Sequence, residues 1–151
     1  MSKYGAGAGV YIENLNIRLS HTLGQTPSVV QAEIFAVLSA THQLIDLGLE
    51  HLSIGIFVDS KCCLQILHSA VFTSQLALDC CASLNLLAQR NRVWLQWVPG
   101  HSGIPGNVTA DKLAKAGACR HFMGPEPSLP VDYKVIKSGL EQWTQEEHCK
   151  Y

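Results

Sequence analysis

A nearly continuous apolar run, LSIGIFV, occupies residues 52–58 and is followed by Asp59. The run has the length of a β-strand, and so few polar side chains are typical of a strand covered on both faces. Helical patterns lie on either side of it in the chain. This alternation favours an α/β fold, in which an aspartate at the carboxyl end of a buried strand lies where ligand sites form.

The pattern upstream of this strand predicts a hairpin followed by a helix. Residues 7–13 and 16–22 carry short apolar alternations, which indicate two antiparallel strands. Ser28 precedes Gln31 by three residues, the spacing of a capping box, and a broad apolar face then predicts a helix over about 29–47. Downstream, the pattern predicts helices at about 60–67, 74–89 and 109–117, and a strand at 93–98.

The chain divides into three predicted segments. Residues 1–118 form one α/β domain, 119–131 form a linker, and 132–151 form a tail with a short amphipathic helix. The linker assignment rests on the stretch 124–130, which holds three of the six prolines.

Composition limits the class of protein. With 151 residues, the chain is long enough for one domain with a sizeable core. Its 47% hydrophobic and 15% charged residues exclude a disordered chain. The net charge of −1 provides no global basic field, and taken alone it argues mildly against a nucleic-acid partner.

Cysteine usage and hydropathy indicate a protein of a reducing compartment. Two adjacent cysteine pairs do not have the spacing of a zinc site, so free buried thiols are expected. No secretory signal and no apolar stretch of membrane-spanning length is visible, so we expect no membrane association and an intracellular, cytoplasmic or nuclear location rather than secretion. The six cysteines are Cys62, Cys63, Cys80, Cys81, Cys119 and Cys149.

Four residues are candidates for chemistry, and each also has an ordinary structural explanation. Asp59 is equally well placed to cap the helix that follows it. Glu33 lies among small residues, yet a solvated helix glutamate is the commoner case. Asp111 lies near a helix start, where the helix dipole favours a carboxylate. His101, in a polar loop dense in glycine and proline, is a candidate for proton transfer.

The local sequences around these residues resemble a known family. The segments QAE at 31–33, VDS at 58–60, WVPGHSGIPGN at 97–107 and ADKLA at 110–114 occur in the order and at the intervals of type 1 ribonuclease H domains. The resemblance covers about residues 5–118, and it is greatest to the domains of non-LTR retrotransposon polyproteins. It implies a mixed five-stranded sheet flanked by helices, and hydrolysis of the RNA strand of an RNA–DNA hybrid.

The same resemblance assigns roles to individual residues. Glu33, Asp59 and Asp111 match three of four carboxylates that bind two Mg²⁺ ions, for which Mn²⁺ is a candidate substitute. Oxygen ligands suit Mg²⁺, and paired metals stabilise charge on the attacking and leaving oxygens of a phosphodiester. His101 matches a histidine that assists proton transfer or product release, and Asn107 and Ser60 are weaker candidates for substrate contact.

Partners follow from this assignment. The expected partner is an RNA–DNA hybrid, with an upstream reverse transcriptase segment as a candidate second partner, and the oligomeric state is left open. Because phosphate contact is local, a few clustered basic residues can suffice despite the near-neutral charge. The nearest candidates are Lys61, Arg90, Arg92, Lys112 and Lys115.

The start of the chain departs from the family pattern. The family's first carboxylate is an aspartate on a central strand, whereas this sequence begins Met1-Ser2-Lys3-Tyr4-Gly5. We therefore expect that strand to be absent, a gap between the counterparts of 7–13 and 52–58, and a weakened two-metal site. The alternative function is a retrotransposon-derived remnant that binds nucleic acid or protein without cleaving. A third interpretation is an unrelated α/β fold with accidental matches.

Overall fold

The computed structural model describes residues 5–126, 128–131 and 133–148. The opening segment 1–4, residue Asp132 at the predicted start of the tail, and Cys149 lie outside the described residues.

Strands and helices alternate in this part of the chain after an initial hairpin. The hairpin turn contains a short 3₁₀ helix at Glu13–Leu15. The remaining elements are β1 (Ala6–Ile12), β2 (Ile17–Gly24), α1 (Val29–Asp46), β3 (Ser53–Val58), α2 (Lys61–His68), α3 (Gln75–Ala88), β4 (Arg92–Trp97), α4 (Pro105–Cys119) and α5 (Tyr133–His148).

The predicted order of strands and helices is confirmed, and the structure defines the first and last residues of the helices more closely than the sequence pattern does. The capping box at the start of α1 is formed in both directions: the Gln31 amide donates to the Ser28 hydroxyl at 3.1 Å, and the Ser28 amide donates to the Gln31 side chain at 2.9 Å. Helix α4 begins at Pro105, four residues before the predicted start. Proline suits the first turn of a helix because its missing N–H would have no partner there.

The strands form two separate pairs. β1 and β2 are antiparallel, from Ala6 opposite Gly24 to Ile12 opposite Ile17. β3 and β4 are parallel, from Ser53 opposite Arg92 to Val58 opposite Trp97. Among the described residues β1 is not hydrogen-bonded to β3, so the four strands make two sheets rather than one. The α/β class with mixed strand directions is as predicted, but the described residues do not form a continuous five-stranded sheet.

Helices α1 and α4 lie on opposite faces of β1. Ala6 and Ala8 belong to the buried core with Ile34 and Val37 of α1. The alternate residues, Gly7 and Gly9, face α4 because successive side-chain positions of a strand point to opposite faces.

Backbone-to-backbone contact fixes α4 on the hairpin. A Cβ atom on Gly9 would overlap the Ala110 carbonyl oxygen, and one on Gly117 would overlap the His21 carbonyl oxygen. Hydroxyl groups of β2 add to this contact, since Ser20 donates to the Leu113 carbonyl at 2.7 Å and Thr22 donates to the Gly117 carbonyl at 2.9 Å.

The predicted linker packs against the domain. Glu126 accepts hydrogen bonds from the Gln25 amide at 2.9 Å and from the Thr26 hydroxyl at 2.7 Å, and these bonds lower the pKa of its carboxyl. Leu129 is buried in the core, and the Gln31 side chain donates to the Pro130 carbonyl at 3.2 Å. The segment before α5 is therefore held by specific contacts to the start of α1.

The cysteines of the described region are unpaired. Cys63 and Cys80 are buried, whereas Cys62 and Cys119 are exposed, so the expectation of buried thiols holds for only part of the set. Burial raises the pKa of the Cys63 and Cys80 thiols to about 12, which makes them poor nucleophiles at neutral pH. No helix in the described residues has both the length and the apolarity needed to cross a membrane.

Replacement of Gly117 by alanine should destabilise the domain. The added methyl group has no room beside the His21 carbonyl, so α4 must move away from β2, and overpacking of this kind costs roughly 1–3 kcal/mol. Thermal unfolding followed by circular dichroism measures the effect. Gly139→Ala in α5 is the matched control, since nothing lies within 4 Å of that position and the change should leave Tm unchanged or raise it. Equal effects of both changes would contradict the close contact.

The protein should become less stable as the pH falls, because of the protonation of His21. Burial, and then the nearby charge of Arg120, lower the pKa of this histidine below 6.5, so the unfolded chain takes up the proton first as the pH falls. The stability contribution of neutral His21 is complete above pH 6.5 and is lost as the pH falls through the folded-state pKa. His21→Gln should therefore lose less Tm between pH 7 and pH 5 than the exposed control His68→Gln. Parallel pH profiles would contradict this prediction.

Candidate active site

Asp59 lies directly after β3 and is held by two side chains from elsewhere in the chain. The Trp97 indole N–H donates to the Asp59 backbone carbonyl at 3.1 Å. The Asn107 amide donates to Asp59 Oδ2 at 3.2 Å. The alternative role as helix cap is wrong, because the N-cap of α2 is Ser60, whose hydroxyl accepts from the Cys63 amide at 3.1 Å. The Asp59 carboxylate is therefore available for another function.

Glu33 projects from α1 towards Asp59 and Asp111 rather than into bulk solvent. It is half-buried beside Ala32 and Ala36. Burial raises the pKa of Glu33 to about 7, and repulsion from the carboxylates of Asp59 and Asp111 contributes to the increase. An ordinary solvated helix glutamate would show neither effect, so the structural explanation for Glu33 does not hold.

Asp111 is supplied by α4. Its carboxylate is paired with Lys115 one turn later, at 2.6 Å. The pair is largely exposed, so it stabilises the helix only slightly. Because α4 packs on β1, Asp111 is brought to the same pocket as Glu33 and Asp59.

The three carboxylates line one small pocket of about 60 Å³ between β1, α1 and α4. Gly7 and Gly9 form part of its wall, since glycine leaves space there that a side chain would fill. Asn107 is also in the wall, so the residue predicted to touch substrate contacts the Asp59 carboxylate as well.

His101 lies in the exposed loop between β4 and α4, outside the pocket wall. Its backbone has φ of 55°, in the left-handed region. The loop passes close to the site, because a Cβ on the preceding Gly100 would lie 3.4 Å from Asp59 Oδ2. The structure thus brings Glu33, Asp59, Asp111 and Asn107 together and leaves His101 at the edge.

Two site contacts were not identified from the sequence. Trp97 was noted only as part of a motif, and its hydrogen bond to a residue 38 positions away has no local signal. Its ring also faces the Lys61 ammonium, 4.5 Å from the ring centre. The Asp111–Lys115 pair could have been found, since the i,i+4 spacing of opposite charges on a helix is visible in the sequence.

Comparison with known proteins identifies the family of this chain. Residues 1–119 match the family described as RNase H. The chain belongs to the RNase H family. Its α/β architecture is RNase H-like, and the family acts on RNA–DNA hybrids as a hydrolase.

The donor chemistry of the RNase H pocket fits a hard divalent cation. Three carboxylates face one space, and a cation bound there neutralises the negative charges that repel one another. Among the described residues, however, no three histidine, cysteine, aspartate or glutamate side chains are grouped closely enough to hold one ion together. Mg²⁺ bound through one or two carboxylates keeps several water ligands, so an incomplete protein shell is compatible with it.

Replacement of Glu33 by glutamine should stabilise the metal-free protein. The folded-state pKa of about 7 exceeds the ordinary glutamate value of 4.5, so ionised Glu33 opposes folding at pH 8 by roughly 3 kcal/mol. The amide removes that cost. In chelator at pH 8, Glu33→Gln should raise Tm, and the gain should shrink as the pH falls from 7 towards 4.5. Glu146→Gln, an exposed change in α5, is the control, and equal Tm values for Glu33→Gln and wild type at pH 8 would contradict the assignment.

Proposed function

We propose that this RNase H domain is a metal-dependent endonuclease that hydrolyses the RNA strand of RNA–DNA hybrids. One observation carries the proposal: Glu33, Asp59 and Asp111, from three different elements, line the same pocket at the carboxyl end of β3. Folding places three acids together at an energetic cost, and the raised pKa of Glu33 reflects that cost. Such a cost is typical of functional sites rather than of structural ones.

The proposed metal ligands are Glu33, Asp59 and Asp111, with Mg²⁺ as the expected ion and Mn²⁺ as a substitute. Bound there, divalent cations would stabilise charge on the attacking and leaving oxygens of the phosphodiester. Asn107 would hold the Asp59 carboxylate in a fixed orientation through its 3.2 Å hydrogen bond. Trp97 would fix the backbone at the same residue.

His101, in the loop at the edge of the site, would transfer protons. His101 is exposed, and its loop runs past Asp59. An imidazole at this place suits proton transfer to the leaving oxygen or assistance in product release. Lys112 and Lys115, on the same helix as Asp111, are candidates to contact the phosphate backbone of the hybrid.

A catalytically impaired binding role is the second candidate. It is favoured by the lack of a complete three-residue metal shell in the described part of the chain, and by the separation of the two sheets beside the site. In this version the domain, of retrotransposon origin, binds a hybrid or a partner such as a reverse transcriptase segment without cleaving RNA.

Cleavage of an end-labelled RNA–DNA hybrid distinguishes the two candidates. In Mg²⁺ or Mn²⁺ the wild-type protein should cut the RNA strand at internal positions and leave the DNA strand intact, and EDTA should abolish cleavage. Asp59→Asn should lower the rate about a hundredfold or more, because it weakens a metal ligand. His101→Ala should lower the rate by about tenfold to a hundredfold without lowering hybrid affinity.

The matched control is Asp79→Asn, an exposed aspartate on α3 that is not among the residues lining the carboxylate pocket. It should cleave like wild type. Hybrid binding measured by fluorescence anisotropy, with no cleavage in either metal, would support the second candidate instead. Cleavage that survives Asp59→Asn unchanged would show that Asp59 has been given the wrong role.

A further inference from the structure

The parallel pair of β3 and β4 has one face against the core and one face in solvent. Ile56 and Leu95, which lie opposite each other, pack against the core. Because successive side chains of a strand point to opposite faces, the register pairs on either side of them share the other face, which we term the outer face. Its pairs are Ser53 with Arg92, Gly55 with Trp94 and Phe57 with Gln96, and their five side chains are exposed.

Trp94 lies flat on the outer face, across Gly55. A Cβ atom on Gly55 would meet three consecutive indole atoms of Trp94, namely Cζ2, Cε2 and Nε1, at 2.8 to 3.1 Å. Distances so similar place the glycine beneath the ring plane rather than beyond the ring edge. One face of the indole therefore rests on β3, and because Trp94 is 41% exposed, the opposite face is open to solvent.

The charge and polarity of the outer face limit what it can bind. Its one charged side chain is Arg92, which forms no ion pair with any described residue. The aromatic side chains of the outer face lie among polar ones, so it lacks the contiguous apolar patch that is typical of a protein-docking surface. A flat aromatic ring beside an unpaired guanidinium instead matches a nucleobase and its phosphate.

We propose that the outer face binds single-stranded nucleic acid, with one base stacked on Trp94 and an adjacent phosphate bound by Arg92. Stacking suits Trp94 because every base has a π-face and because the indole, already held flat on the strand, loses little freedom on binding. The planar Arg92 guanidinium can donate two parallel hydrogen bonds to a phosphate. A duplex cannot bind in this way, because its bases are stacked on one another.

Phe57 is the second aromatic ring of the outer face and provides a surface for the next base. It is 59% exposed, and it lies diagonally across the strand pair from Trp94, a separation of about 7–8 Å. Aromatic side chains on neighbouring strands of an exposed sheet stack two or three bases in unrelated RNA-binding folds. The proposal does not depend on nuclease activity, because the outer face contains none of the proposed metal ligands and stacking needs no divalent cation.

Binding of a labelled oligonucleotide to the full chain tests the proposal. The probe is a fluorescein-labelled single-stranded DNA of about ten nucleotides and mixed sequence, measured in EDTA so that neither metal binding nor RNA cleavage contributes. Its fluorescence anisotropy should rise with protein concentration in a saturable manner, and the affinity should fall with salt. A blunt-ended DNA duplex of the same length should bind at least about tenfold more weakly, since its bases are not free to stack on the protein.

Substitutions at Trp94 separate stacking from apolar contact. Trp94→Leu keeps an apolar cover over Gly55 but has no π-face, so the affinity for the single strand should fall by about fivefold to a hundredfold. Trp94→Phe keeps an aromatic ring and should stay within about threefold of wild type. Trp143→Ala is the matched control, because it removes an exposed tryptophan of α5 and should leave the affinity unchanged.

Arg92→Gln tests the phosphate contact. Loss of one phosphate contact should reduce the slope of log affinity against log salt concentration by about 0.7. Arg18→Gln, which removes an exposed arginine of β2, is the matched control and should leave that slope unchanged.

Photochemical cross-linking of the wild-type protein gives an answer even if a Trp94 variant does not fold, as judged by circular dichroism. A single strand that carries iodouracil at one position, irradiated in the complex, should cross-link to Trp94 or Phe57, as located by mass spectrometry of the digested protein. Cross-links confined to other residues would contradict the proposed site.

Four further results would overturn the proposal. Absence of saturable binding up to about 1 mM protein at low salt would show that the outer face accepts no single strand. Equal affinity for single strand and duplex would indicate phosphate contact without stacking. Wild-type affinity of Trp94→Leu would indicate apolar contact alone. A stable dimer in analytical ultracentrifugation, abolished by Trp94→Leu, would show that a second copy of this chain covers the outer face.

Discussion

Contact between the backbone of α4 and the β1–β2 hairpin is the constraint on which the rest of the structure depends. Glycines at 7, 9 and 117 let helix and sheet approach until carbonyl oxygens occupy the space of the missing Cβ atoms. The β2 hydroxyls of Ser20 and Thr22 then bond to carbonyls of the helix. This contact places Asp111 across a small pocket from Glu33 and Asp59. If α4 lay farther from the hairpin, the carboxylates would not share one pocket.

The site opposes the stability of the fold that forms it. Glu33 is half-buried and repelled by two carboxylates, so its ionised form is unfavourable without a compensating cation. Repulsion is only partly relieved by neighbours: Asn107 donates to Asp59, and Lys115 pairs with Asp111 at the surface. The same end of the molecule borders the groove between β1 and β3. Because of the repelled carboxylates and the groove, the stability of the domain depends on what it binds, since any ligand specific for the folded state shifts the folding equilibrium.

Local rules predicted the elements well and the assembly less well. The capping box at Ser28, the hairpin and the strand at 52–58 follow from side-chain period and capping chemistry, which act over a few residues. The prediction that this strand is covered on both faces is wrong for the described residues, since Leu52 and Phe57 are exposed and Val58 is the one buried residue of β3. The predicted start of α4 is four residues too late because Pro105 and Gly106 are typical loop residues, although proline is also favoured in a first helical turn. The role of Ser60 as the α2 cap also had a local signal that the neighbouring aspartate obscured.

The sequence by itself determined the α/β class, the order of strands and helices, and the identity of the acidic residues that could carry chemistry, because these depend on periodicity, capping and ordered motifs. Only the tertiary structure decided that Glu33 is half-buried, that Trp97 and Asn107 hold Asp59, and that β1 and β3 face each other across a groove. The reason is physical. Burial, repulsion and strand pairing join residues far apart in the chain, and their energies arise only when packing brings those residues together.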